Sequence, residues 1–268
     1  MAAAGRSQAG SYTPPARPRP AVSAQLQGWA ADPDRRCPYC GDREPEGGAE
    51  HVLSVALGNW FWVLPPNVVC APCNNQVLSR LDSVLLHHPL IAVTRVLVGI
   101  TGRHGQPPRV GASNMRLRRN DDGSLHIEAD TPRDVSRDED TITMRPSWQN
   151  FGPPQRRLTA RALLKLALGT IWLARGPEET SLAAYDHVRD AIQGRGEVPL
   201  QYGFGNSRLP GHALQIMAIS HRAHPGLRAS LHYFGVELWA ETQGYREQAD
   251  DDFLKREIDV EFAQPSDA

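Results

Sequence analysis

The feature that most constrains this chain is the placement of its four cysteines. They fall as Cys37-Pro38-Tyr39-Cys40 and Cys70-Ala71-Pro72-Cys73, with 29 residues between the pairs. Two such knuckles put four thiolates where they can close a tetrahedron around one zinc ion, and a closed four-sulfur shell leaves no open position, so this zinc would be structural. Pro38, Gly41 and Pro72 suit the tight turns. The ion would clamp two segments that a small module could not hold by core burial alone. Disulfides would be the competing reading in an oxidising compartment. The opening MAAAGRSQAGSYTPPARPRP has no apolar core of the kind a signal peptide needs. No run approaches the roughly 18 apolar residues of a membrane span. A cytoplasmic location, no membrane partner and metal-bound cysteines are therefore expected.

Charge excludes less than it first suggests. With 29 basic and 30 acidic residues the net charge is -1, which excludes a histone-like polycation. The total hides opposite blocks. Arg103, Arg109, Arg116, Arg118 and Arg119 stand without an acid over 103–119, whereas eight acids meet two arginines over 121–140, and ten acids meet three bases over 237–268. The first block reads either as a track for a nucleic-acid backbone or as a solvated hairpin face paired with the acids after it. Of the 29 basic residues, only Lys165 and Lys255 are lysines.

Composition divides the chain into an Ala/Pro/Gly-rich arm over 1–30, expected to be disordered, a cysteine-bearing module over 31–88, and a mixed α/β region over 89–268 serving recognition, dimerisation or regulation. The expected class is α+β. Leucines and valines at helical spacing predict a helix from about Cys73–Asn75 to just before Pro89. Met115–Arg119 and Leu125–Ala129, joined through Asn120-Asp121-Asp122-Gly123, predict a β-hairpin, and Thr141–Met144 a further strand. Leu158–Ala174 reads as a helix with Leu163, Leu166, Ala167, Thr170 and Ile171 on one face, stopped by Gly176-Pro177. Ser181–Gln193 reads as a second helix. His212–Ser220 and Leu227–Glu241 read as strands, with Gly235 a candidate bulge. Gly203-Phe204-Gly205 is a lone glycine pair and no nucleotide loop. Trp60-Phe61-Trp62 reads as core under the cysteine module in preference to a base-stacking platform.

Between the knuckles stands Glu50-His51, followed by Gly58, by Asn67 three residues before Cys70, and by Asn74 directly after Cys73. In this nested order residues 35–88 resemble the HNH endonucleases, which have the ββα-metal fold. The pattern departs from the commonest form of that family in carrying Glu50 where Asp is frequent and Asn74 where His is frequent. The resemblance implies a zinc-containing ββα-metal module and a metal-dependent phosphodiesterase, with DNA the favoured substrate and 5′-phosphate and 3′-hydroxyl products. It implies His51 on the first strand as general base, since a neutral imidazole accepts a water's proton near pH 7. It places Asn67 on the second strand, holding the backbone around His51 or orienting its ring. Glu50 and Asn74 would bind one catalytic cation through oxygen, magnesium by default or manganese. A paired cut would need two active sites, hence a homodimer.

Each residue also has a plain structural role open to it. Asn74 can cap the helix, Asn67 can be a turn residue after Pro65-Pro66, and Asn75 and Asp82 can support the site or the fold alone. The alternative for the whole module is a zinc-ribbon-like unit that binds nucleic acid or protein without chemistry.

Overall fold

The computed structural model describes residue 28 and residues 36–42, 44–59, 61–102, 105–138, 141–148, 151–207, 214–221, 224–242 and 256–259. Almost all of the arm expected over 1–30 lies outside the described residues, as do Trp60 and Arg103. The class is α+β, as composition and pattern predicted.

The front of the molecule has very little regular structure. Strand β1 is Glu50–His51 and strand β2 is Val63–Leu64, paired antiparallel with Glu50 opposite Leu64 and His51 opposite Val63. A wide π-helical stretch, Cys73–Leu78, runs directly into helix α1, Ser79–Leu86. Helix α2, Pro89–Val98, follows after a bend of 67° at His87-His88. Pro89 accounts for the break, because a proline disfavours helical backbone in the residue before it and lacks an N–H of its own.

The hairpin forms as expected. Strands β3 (Arg109–Gly111), β4 (Met115–Arg119) and β5 (Leu125–Ala129) make a three-stranded antiparallel sheet that packs on α2. Strands β6 (Val135–Asp138) and β7 (Thr141–Met144) pair separately.

Helix α3 spans Pro153–Arg175. The expected single apolar face is an underestimate: every residue from Ala162 to Trp172 is buried. A helix buried on all sides lies inside a core. One side of α3 meets a five-stranded antiparallel sheet in the order β12 (Arg256–Asp259), β9 (Leu214–His221), β10 (His224–Tyr233), β11 (Val236–Thr242), β8 (Leu200–Asn206). It also packs on α1, on the short α4 (Pro177–Thr180) and on α5 (Asp186–Gln193). One apolar cluster runs from Cys37 and Leu53 through Leu163 and Trp172 to Leu231 and Ala240, so the core is continuous across the boundary expected at 88/89.

Two expectations need correction here, at Leu227–Glu241 and at Ser181–Gln193. Leu227–Glu241 is two strands, because Phe234-Gly235 makes a turn and no bulge. The glycine pair lies in β8, where Gly203 faces Trp239 across the sheet and the indole covers it. Ser181–Gln193 is a 3-10 turn, Ala183–Tyr185, followed by α5, and no single helix. No helix among the described residues is long and apolar enough to cross a membrane.

Candidate metal centre and the Glu50–His51 site

The two knuckles are local structures before they are a site. Gly41 N donates to the Cys37 carbonyl and Asn74 N to the Cys70 carbonyl, the same five-residue turn made twice. These turns bring the four buried sulfurs within 4.8 Å of one another, a group able to hold a metal ion. It is the one cluster of three or more His, Cys, Asp or Glu ligand atoms found among the described residues. The thiols crowd each other: the hydrogen bond with Cys40 is the leading influence that pushes Cys37 up to about 12, and the bond with Cys37 drives Cys73 far above its ordinary value. A cation that takes all four sulfurs must displace those protons, which ties its affinity to pH.

The segment at the end of α5 covers this centre. Gln193 Nε2, the last residue of α5, donates to Cys73 Sγ at 3.3 Å and to the Tyr39 carbonyl at 3.0 Å. Arg195 donates to the Cys40 carbonyl at 3.3 Å and forms ion pairs with Asp42 and Asp190. N–H donors aimed at a thiolate are the outer support usual around a metal–sulfur centre. No sequence pattern pointed to Gln193 or Arg195, which lie more than a hundred residues from the cysteines they serve.

The Glu50-His51 strand sits beside the centre. His51 is half-buried, on β1. Asn74 opens the helix after the second knuckle and donates its side-chain amide to the Gly48 carbonyl at 3.3 Å, so the approach to β1 and the start of the helix touch. Gly58 closes the 3-10 turn Val55–Leu57 that follows His51.

Asn67 does not lie on the second strand. It stands three residues beyond β2 in a left-handed turn, φ 62°, and its N–H donates to the Gly47 carbonyl. Pro65-Pro66 before it end the strand, since neither proline has an N–H for a ladder. The loop between β1 and β2 is stitched instead by Asn59, which is buried. Its amide donates to the Leu53 and Trp62 carbonyls and its oxygen accepts from the Phe61 and Trp62 N–H groups. Asn59 directly follows Gly58, and no spacing singled it out. Of the aromatic run, Trp62 is buried as expected, whereas Phe61 is exposed.

Beneath β1 lies a buried charged group that the sequence did not disclose. Lys165 of α3 is fully enclosed. Its Nζ donates at 2.8 Å to the His51 carbonyl and at 2.8 Å to Asp82 Oδ1 of α1. It also makes an ion pair with Glu50 Oε1 at 2.8 Å, off the direction of a good hydrogen bond. Burial raises both carboxyl groups above their ordinary range, with Lys165 pulling the other way. Burial works to lower Lys165, but Asp82 and Glu50 together hold it above its ordinary value, so the ammonium persists.

The basic block separates by strand alternation. Arg109, Arg116 and Arg118 are exposed on one face of the three-stranded sheet, with Arg109 opposite Arg118 and Arg116 opposite Glu128. Arg119 points the other way. It is buried and donates to the Leu97 carbonyl at 2.7 Å, at the C-terminal end of α2. Consecutive strand residues face opposite sides, so Arg118 and Arg119 could not both serve a surface; Arg119 is withdrawn from the candidate nucleic-acid track.

Comparison of the chain with protein-family models, with curated proteins and with solved structures returned no match in any of the three.

Proposed function

We propose that the chain is a nuclease of the HNH type, hydrolysing a phosphodiester bond in nucleic acid, with DNA the favoured substrate. The metal at the four cysteines is zinc in this reading, since four thiolates in a closed buried set match its preferred tetrahedral shell. The observation that carries the proposal is the strand–strand–helix order nested in that set. Glu50-His51 lies on β1, β2 follows, and Asn74 heads the helix within hydrogen-bonding reach of Gly48, two residues before Glu50.

In this reading the His51 imidazole accepts the proton of the attacking water, a step for which a group titrating near neutrality is suited. The strand pairing and Lys165 hold the backbone from which the ring projects. The second metal, magnesium or manganese, would polarise the scissile phosphate. The residues do not fit that ion as assigned. Asn74 keeps its amide oxygen as a ligand atom, but Glu50 is buried against the Lys165 ammonium. Arg109, Arg116 and Arg118 are the exposed candidates for phosphate contacts.

The test is incubation of the zinc-loaded chain with plasmid, single-stranded DNA and RNA across a series of magnesium and manganese concentrations, with His51→Ala as control. Cleavage by the native chain that the substitution abolishes, with zinc retained, is the expected result. Intact nucleic acid under every condition, or equal cleavage by His51→Ala, ends the proposal. The Glu50–Lys165 pair favours one alternative, a non-catalytic zinc module that binds nucleic acid or protein. That reading predicts binding without cleavage and no response to magnesium.

A further inference from the structure

We propose that Lys165 is the resident cation of the Glu50–His51 site, so that Glu50 and Asp82 position the His51 strand and neither is a ligand of a divalent ion. The inference rests on the nuclease reading only for the role given to His51.

The geometry is specific to an ammonium. Three oxygens from two elements converge on one nitrogen at 2.8 Å: Glu50 Oε1 and the His51 carbonyl from β1, and Asp82 Oδ1 from α1. A lysine presents three donors around a point charge, whereas an arginine presents a planar fork. In a chain with 29 basic residues, of which only Lys165 and Lys255 are lysines, the one buried at this node is a lysine. A divalent ion on Glu50 would have to share a buried carboxylate with an ammonium already 2.8 Å from it. Magnesium also retains several of its waters when bound, and the Glu50 side chain is only 7% exposed.

A second feature of α3 supports the same assignment. Gly169 lies one turn beyond Lys165, and a Cβ there would stand 2.6 Å from Tyr39 Oη and 2.9 Å from Val52 Cγ2. The helix backbone therefore presses directly on the knuckle and on the residue after His51. This close approach lets a side chain from the second half of the chain reach beneath β1. Lys165 thus makes the long helix part of the site, and a fragment ending near residue 88 would lose both the helix that packs over Glu50 and Asp82 and their counter-charge.

The test uses the full zinc-loaded chain and manganese as probe, read by electron paramagnetic resonance, together with the His51 ring signal in histidine-labelled protein, assigned through His51→Gln. Glu50→Gln is expected to leave manganese affinity unchanged. Loss of affinity by about tenfold or more, the scale on which even outer-shell changes act, would make Glu50 a ligand and overturn the proposal. A native chain that takes up no manganese supports the assignment of Glu50 to Lys165 while counting against the nuclease reading. Lys165→Met is expected to move or broaden the His51 ring signal with zinc still bound, and Lys165→Arg is expected not to restore it. A ring signal unmoved by Lys165→Met overturns the positioning role. Should Lys165→Met fail to fold, the triple variant Lys165→Met, Glu50→Gln, Asp82→Asn removes all three charges together. It is expected to fold and still to show the displaced His51 signal, and a native-like signal there also overturns the proposal.

Discussion

The front and back of this molecule are held together by different means. Around the cysteines the two strands are two residues each, and order comes from side chains: four sulfurs, the four hydrogen bonds of Asn59, and the contacts of Lys165. Behind α3 the order comes from backbone ladders, with β10 paired from Arg228 to Tyr233 to both β9 and β11. A region built on a few polar side chains fails when one of them is removed. A region built on a ladder and an apolar face loses stability in smaller steps. The candidate site lies in the first kind of region, and the second supplies Lys165, Gln193 and Arg195 to it.

The strongest way to break this contrast is to empty the four-cysteine cluster of the zinc proposed for it. Chelation, or Cys70→Ser, should abolish zinc binding and cost the front on the order of 10 kcal/mol, the scale of structural zinc binding in small domains. Hydrogen exchange should then show β1 and β2 unprotected while β9–β11 keep their protection. Equal loss in both regions would mean that they unfold as one unit.

Next in size is Lys165→Met. Removing one partner of a buried ionic group leaves uncompensated charge, so a loss of about 3–5 kcal/mol is expected in denaturant titration. The triple variant that also neutralises Glu50 and Asp82 should recover much of it.

The seam between front and back should respond to acid. His88, ahead of α2, is buried, and its Nε2 meets Tyr202 Oη of β8 at 2.6 Å with Phe151 packed edge-on. Burial lowers its pKa from 6.5 to about 4. The unfolded chain therefore takes up the proton first, so the contribution is complete above pH 6.5 and is lost as pH falls toward 4, by up to about 3 kcal/mol. Melting temperatures between pH 4 and 7 should show a shallower slope for His88→Gln; identical slopes would rule this histidine out as the source.

The smallest effect should come from a change confined to the back. Gly203→Ala in β8 sets a Cβ against the Trp239 ring, which is also stacked under Arg228. Overpacking of this kind costs about 1–3 kcal/mol. Calorimetry should record that loss with zinc content and the His51 ring signal unchanged; an altered His51 signal would show that strain passes through α3 into the site.

Local patterns were legible where one residue's environment repeats along an element. The hairpin of β4 and β5 followed from alternation and a turn, and α3 from its apolar spacing. Strand β8 was hidden because its glycines have no side chain to show a pattern, and Trp239 from β11 fills the space that Gly203 leaves. The division of Arg118 from Arg119 was implicit in strand alternation, but which face turned inward was not.

By itself the sequence determined that four cysteines would form one cluster, because the turn geometry of each CxxC pair is set within a few residues. It also determined that Glu50-His51 and Asn74 would be drawn near that cluster, being tied to the same short segments. Only the tertiary structure decided what those residues face. A lysine 114 positions after His51 in the chain carries no local mark of its partners; its place under β1 follows from how α3 packs between the sheet and the front, where burial makes a lone carboxylate costly and selects the ammonium that neutralises it.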